Sequence, residues 1–181
     1  MLLIMTVITG IAYPLFITGI AQAAFHHKAN GSMIEKDGKI IGSELIGQKF
    51  DTTFYFWSRP SAIDYNPLPS GGSNYGPSSA KLKKFVDDKR TQFIAVNMIR
   101  DSSNIPCEMI TASASGLDPD ISPEAALSQV DRIAKVRNFT ASQKKQVIDL
   151  IRQHTENPQF LLLGEKRINV FKLNLDLDKI R

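Results

Sequence analysis

No aspartate, glutamate, lysine or arginine occurs before Lys28, and this feature constrains the chain more than any other. Met1 to Phe25 is uncharged. Its polar side chains are Thr6, Thr9, Thr18 and Gln22, with the aromatic Tyr13 and Phe16 in mid-span. As a helix rising about 1.5 Å per residue, the segment would reach roughly 37 Å, enough to cross a hydrocarbon core of ~30 Å. Gly10, Pro14 and Gly19 would weaken a helix in water but are tolerated in lipid, where neighbouring helices cover the freed backbone groups. A transmembrane anchor over residues 1–25 is therefore expected. A cleaved signal peptide is the rival, because Ala21-Gln22-Ala23 fits the small-residue cleavage pattern. The apolar stretch is about twice the ~7–15 residues of a signal core and follows no basic residue, so it is expected to stay on the mature protein. Only the α-amino group and Lys28 bear on orientation. Without ionisable side chains the span offers no ion path of its own.

The rest of the 181-residue chain is polar, with enough Leu, Ile, Val and Phe for one core, and reads as a polar linker over 26–42 followed by a soluble α+β domain over 43–181. The net charge of +4 is spread without runs of like sign, and aromatics do not alternate with arginine, so nucleic-acid binding is not expected. The single cysteine, Cys107, rules out an internal disulfide and a zinc motif; between Ile105, Met109 and Ile110 it reads as a small core hydrophobe.

Along the domain, a turn is expected at Asp37-Gly38. A long Gly-, Pro-, Ser- and Asn-rich loop with interspersed aromatics follows from Phe54 to Pro77. Such loops tend to carry function. Leu82, Phe85, Val86, Phe93 and Val96 then predict a helix of about 18 residues. Residues 110–121 read as a strand and a tight turn. Ser122 and Pro123 start a helix running to about Asn138, and Thr140 with Gln143 forms a capping box for another through His154. At the end, Phe171, Leu173, Leu175 and Leu177 alternate with polar residues and predict a strand.

Catalytic chemistry finds little footing. Gly42 to Lys49 only grazes a P-loop, with Gln48 at the lysine position, and no GxGxxG occurs. The serines of 111–115 lack a G-x-S-x-G elbow, which leaves a membrane-anchored or secreted serine hydrolase as a remote alternative. Ser70-Gly71-Gly72-Ser73 could line a phosphate but reads as a turn cluster. Asp118 and Asp120, with Glu124, could touch a cation, yet turn and helix-start roles explain them. No catalytic or metal-ligating set is expected, and no cofactor bound by the chain alone. Tyr55, Trp57, Arg59, Ser73, Asn74 and Tyr75 are candidate interface residues, since Trp, Tyr and Arg dominate interface energetics. The alternative is a loop folded back on its own domain.

Nine collinear blocks carry a resemblance. Thr9-Gly10 with Tyr13-Pro14-Leu15 lies in the apolar segment; Gln22, Ala29-Asn30-Gly31-Ser32 and Gly42-Ser43 with Leu45-Ile46-Gly47-Gln48 follow. Then come Tyr55-Phe56 with Arg59-Pro60-Ser61-Ala62, Tyr65-Asn66-Pro67 and Ser70-Gly71-Gly72-Ser73-Asn74. Thr111-Ala112-Ser113-Ala114-Ser115-Gly116-Leu117-Asp118, Arg132 with Ala134-Lys135 and Arg137, and Gly164 with Asn169-Val170 and Leu173 to Asp178 complete the set. In this order they resemble the small C subunit of the Kdp-type potassium-transporting P-type ATPase of bacteria, over essentially the whole chain. Lys166, where proline is frequent, and Asp120, where a neutral residue or histidine is usual, depart from the pattern.

The resemblance implies an accessory, non-catalytic subunit of a high-affinity potassium uptake complex in the bacterial inner membrane, with a single span and an extracytoplasmic soluble domain. Its partners would be a channel-like potassium-binding subunit, a P-type ATPase subunit and the bilayer. The subunit would assemble or stabilise them and tune potassium entry. A second family proposal makes the subunit a catalytic chaperone that raises the ATPase subunit's affinity for ATP through a glutamine. Here that glutamine matches Gln143, and ATP would be met only in the complex. The capping box accounts for Gln143 without nucleotide.

Overall fold

The structure, a computed structural model, describes residues 1–99, 105–160 and 162–180. The chain forms two compact units, Met1–Leu45 and Ile46–Arg181. In the first, α1 (Leu2–Ala24) is a 23-residue apolar helix of mean hydropathy 1.9 that buries nothing. Its one irregularity is a π turn at Ile8–Ala12, immediately before Pro14. Proline has no N–H for the fourth residue back, and its ring crowds that carbonyl; the wider turn relieves the clash. A short helix α2 (His26–Ala29) leads to the antiparallel strands β1 (Met33–Lys36) and β2 (Lys39–Ser43), which turn at Asp37-Gly38 as expected. Asp37 and Gly38 both take positive φ, which an Asp-Gly pair tolerates well.

The second unit is mainly helical: α3 (Ala80–Asn97), α4 (Pro123–Leu127), α5 (Val130–Val136), α6 (Ala141–His154) and α7 (Val170–Leu177). A two-residue antiparallel pair joins β3 (Asp120–Ile121) to β4 (Ile168–Asn169). Together with the hairpin, this makes the expected α+β class. Helix α6 packs against α4, α5 and α7, and α3 packs against α5. Phe56, Phe93, Val130, Ile133, Val147, Ile151, Leu173 and Leu177 form the heart of the core.

Helix α3 spans 18 residues as its periodicity requires. The capping box at α6 is present in both halves. Four expectations fail. Residues 110–117 form no strand, because their hydroxyls bond the local backbone instead: Thr111 Oγ1 donates to Cys107 O, and Ser113 Oγ accepts from Gly116 N. The helix after Ser122 breaks at Ser128-Gln129, where Ser128 Oγ and Gln129 Nε2 both donate to Ala125 O. The terminal strand is helix α7, begun by Asn169, whose side chain accepts from Lys172 N. Cys107 is exposed, on a 3-10 turn that faces it away from the buried Met109 and Ile110.

Candidate functional site

The segment Thr53–Trp57 is irregular chain that runs from the exposed Thr53 and Phe54 to the buried Phe56 and half-buried Trp57, so side chains of the domain must satisfy its inward backbone polar groups. Asn174, on α7, does so for Phe56: its Oδ1 accepts from Phe56 N at 2.8 Å and its Nδ2 donates to Phe56 O at 3.0 Å. Gln129, between α4 and α5, does the same for Trp57, its Oε1 accepting from Trp57 N at 2.8 Å and its Nε2 donating to Trp57 O at 3.2 Å. A side-chain amide offers one acceptor and two donors in a plane and can replace the missing neighbouring strand. Asn174 is 2% exposed and Gln129 wholly buried.

Arg132 supplies a third hold from α5. Its guanidinium donates to Thr53 O, to Gln129 Oε1 at 2.7 Å and to Asn97 Oδ1 at 2.8 Å, and it lies 4.8 Å over the Trp57 ring. These partners are all neutral. Burial pulls the Arg132 pKa down to about 10, which still leaves it cationic at neutral pH. At the rim, Arg137 donates to Phe54 O at 2.9 Å, pairs with Asp178 at 2.8 Å and lies 5.0 Å over Tyr55. Tyr55 donates to the same carboxylate at 3.1 Å; burial first, and then Asp178, raises its pKa.

Further along the loop, Arg59 pairs with Asp118 Oδ2 at 2.9 Å, and Asp118 Oδ1 accepts from Asp120 N at 3.0 Å. Asp120 is 3.4 Å from Arg167; its burial raises its pKa, against the pull of that guanidinium. Tyr65 donates to Arg59 O, and burial pushes its phenol up to about 12. Gly71 donates its N–H to Ser115 O at 3.1 Å. A Cβ on Gly72 would stand 2.9 Å from Ala114 O, so Gly72 serves a close approach to Ala114. A pocket of about 160 Å³ opens beside this stretch, lined by Lys49, Trp57, Arg59, Asp64, Tyr65 and Lys89 among others, with Lys49 and Asp64 paired at 2.8 Å.

The sequence-predicted residues thus separate. Tyr55 and Trp57 join the buried clamp, Arg59 joins Asp118, and Ser73 is half-buried. Asn74 and Tyr75 are exposed, as is Leu68. Gln143 holds the α6 cap: its Oε1 accepts from Thr140 N at 2.8 Å, and Thr140 Oγ1 accepts from Gln143 N at 3.3 Å. Among the described residues, no group of three His, Cys, Asp or Glu could hold a metal ion. Sequence reasoning missed the clamp residues Asn97, Gln129 and Asn174. The signal that could have found them is a polar residue at an inward helical position, as Gln129 and Arg132 are beside Val130 and Ile133.

Comparison with known proteins points one way. The family KdpC, described as the c chain of K+-transporting ATPase, matches residues 1–179. A potassium-transporting ATPase KdpC subunit from Methylococcus capsulatus is 47% identical, covering 100% of this chain and 95% of its own length. Proteins of the same description from Paraburkholderia phytofirmans and Burkholderia vietnamiensis are 44% and 47% identical, covering 98% and 97% of this chain and 92% and 90% of their own lengths.

Proposed function

The chain belongs to the KdpC family, the c chain of K+-transporting ATPase, and we propose that it is the non-catalytic subunit that assembles or stabilises that complex and tunes potassium entry. Residues 1–25 anchor it, 26–42 link, and 43–181 form the soluble domain on the extracytoplasmic side of the bacterial inner membrane. Its partners are the channel-like potassium-binding subunit and the P-type ATPase subunit.

The observation that supports this reading is the clamp. Buried amides and Arg132 fix the backbone at 53–57, and Gly71, Gly72 and Gly116 seat the loop on residues 114–116. Its exposed part, with Leu68, Asn74 and Tyr75, is therefore held ready. A preordered surface loses less conformational entropy on docking. In the chaperone reading Gln143 would have to engage ATP, whereas here its carbonyl oxygen is held by Thr140.

The test is recovery of the intact complex from native membranes, with potassium uptake, for Arg59→Ala and Tyr75→Ala. Loss of either property supports the loop as a docking surface, and unchanged assembly and uptake reject it. Protease accessibility of the soluble domain in right-side-out vesicles tests its side; protection there would place it in the cytoplasm and revive the chaperone reading.

A further inference from the structure

The chain between α6 and β4 doubles back on itself and carries apolar side chains outward. Glu156 and Arg167 close its base: Glu156 N donates to Arg167 O at 2.9 Å, and Arg167 N donates to Glu156 O at 3.1 Å. The Arg167 guanidinium also pairs with Glu156 at 2.8 Å and stands 3.4 Å from Asp120 on β3, which ties the base to the fold. At the far end Gln159 and Leu163 exchange both backbone hydrogen bonds at 2.9 Å, and Leu162 N donates to Gln159 O at 3.2 Å. Phe160 is 87% exposed, Leu162 86% and Leu163 62%. Phe160 also takes a φ of +53°, a left-handed conformation that a bulky residue rarely adopts.

Single exposed leucines are ordinary on a protein surface; three large apolar side chains so close together are not. Phe160 and Leu162 bury almost nothing against the domain, so its own stability does not account for them. No Asp, Glu, Lys or Arg occurs from Asn157 to Gly164, so the tip offers a partner no charge. Its shape narrows the choice of what covers it. A projecting point is exposed on several sides, and covering it takes either a pocket cut to its form or a fluid that closes round it.

We propose that Phe160, Leu162 and Leu163 dip into a lipid surface and give the soluble domain a second, reversible hold on the bilayer. Three observations favour lipid over a protein pocket. The same chain carries a 23-residue apolar helix long enough to cross a membrane, so the bilayer is met at high effective concentration. The tip's backbone largely satisfies itself: the N–H groups of Gln159, Leu162 and Leu163 are all used within the turn, which lowers the cost of taking it out of water. The exposed polar residues Gln159, Glu165 and Lys166 flank the apolar ones and can stay among headgroups while the tip enters. Interfacial segments sit roughly 5–10 Å into the headgroup and acyl boundary, a depth that three side chains on a turn can reach. The paired base holds the tip in shape before contact, so little conformational freedom is lost on insertion.

This rests on the reading of residues 1–25 as an anchor and not on the docking loop. In a Cys107→Ser background, the full chain with Leu162→Cys is labelled with an environment-sensitive fluorophore and reconstituted into vesicles of phosphatidylethanolamine and phosphatidylglycerol. Phospholipid brominated near the headgroup end of its acyl chains should quench that label several-fold more than one at Lys83→Cys, an exposed position on α3. Phe160→Asp combined with Leu163→Asp should remove the difference, while unfolding followed by Trp57 keeps the parent's midpoint, because neither side chain belongs to the core. An alkaline carbonate wash checks the anchor separately. Release of the chain there overturns the anchor reading and the insertion with it, whereas a retained chain quenched equally at residues 162 and 83 overturns insertion alone. In native membranes, a benzophenone on the thiol at residue 162 should attach chiefly to lipid. Attachment chiefly to another subunit would make the tip a protein contact and overturn the proposal.

Discussion

Replacing Asn174 tests whether the buried amides hold the aromatic loop. Asn174→Ala would leave Phe56 N–H and Phe56 C=O without their partners, at a residue that is itself 0% exposed. An orphaned buried polar group costs about 1–3 kcal/mol, so the pair should cost roughly 2–6 kcal/mol, a large part of a domain's total stability of about 5–15 kcal/mol. Asn174→Leu fills the same space and leaves the same orphans. It should cost nearly as much, which separates lost hydrogen bonds from a cavity. Asn174→Asp keeps an acceptor for Phe56 N–H but can donate to Phe56 O only when protonated. Burial and that carbonyl should raise its folded pKa above the unfolded value of about 3.9. The folded state then binds the extra proton between the two values, so stability is fully present below the unfolded pKa and falls as pH rises through the folded one. Urea unfolding of the full-length chain in detergent micelles can be followed by Trp57, its only tryptophan, which lies beneath Arg132. An Asn174→Leu protein within about 1 kcal/mol of the parent would refute the clamp, since a buried orphan pair cannot be that cheap.

Three further outcomes are expected. Arg132→Met should cost about 3 kcal/mol by the same measurement, and Arg132→Lys should not rescue it, because one ammonium cannot span Asn97, Gln129 and Thr53 while stacking on Trp57; a lysine variant of parental stability would contradict this. Gln143→Ala should cost about 1 kcal/mol or less of helix stability, and the full chain should bind ATP no better than millimolar, roughly −4 kcal/mol; micromolar binding by calorimetry that this substitution abolishes would promote the chaperone reading. Lys179 first, and His154 with it, hold the Asp176 carboxyl below its ordinary range, so its contribution is present above the unfolded pKa and lost as pH falls through the folded one. Asp176→Asn should flatten the acid side of the stability profile, and an unchanged profile would show that the pair contributes nothing.

What was legible in the sequence was local. The charge-free opening marks a helix long and apolar enough to cross a membrane, because length and polarity are all that test needs, and the Thr140–Gln143 cap is written within four residues. Helix α7 shows where local reading fails. Its Leu173, Leu175 and Leu177 satisfy a period of two, while Val170, Phe171, Leu173, Asn174 and Leu177 satisfy the helical period equally well. The decision turns on Asn174: a strand would have sent it to solvent, and the fold needs it at Phe56, 118 positions away in the chain. Gln129 is likewise separated from Trp57 by 72 positions. Nothing near either amide in the sequence announces such a pairing. The family resemblance identified the chain because it compares whole patterns, but it does not say which of the matched residues face inward.

That distinction changes how the loop should be understood. Tyr55, Trp57 and Arg59 are the large residues that drew attention to it, yet each is engaged within the domain, by Asp178, Arg132 and Asp118 respectively. They are therefore better placed to set the loop's shape than to form its contacts. Leu68, at 81% exposed, Phe54, at 50%, and Tyr75, at 42%, are the large side chains left facing outward. The two groups should fail differently. Truncating Tyr75 removes partner contact from an otherwise normal domain, so the chain should melt as before while assembly weakens. Truncating Arg59 releases Asp118, whose other oxygen orders the turn at Asp120, so loss of assembly should come with a local loosening of residues 118–120 in hydrogen exchange. Assembly lost in both variants, with looser exchange only in Arg59→Ala, would separate a residue that shapes the surface from one that makes it. The reverse pattern would mean that Arg59 reaches the partner itself and that its pairing with Asp118 is incidental.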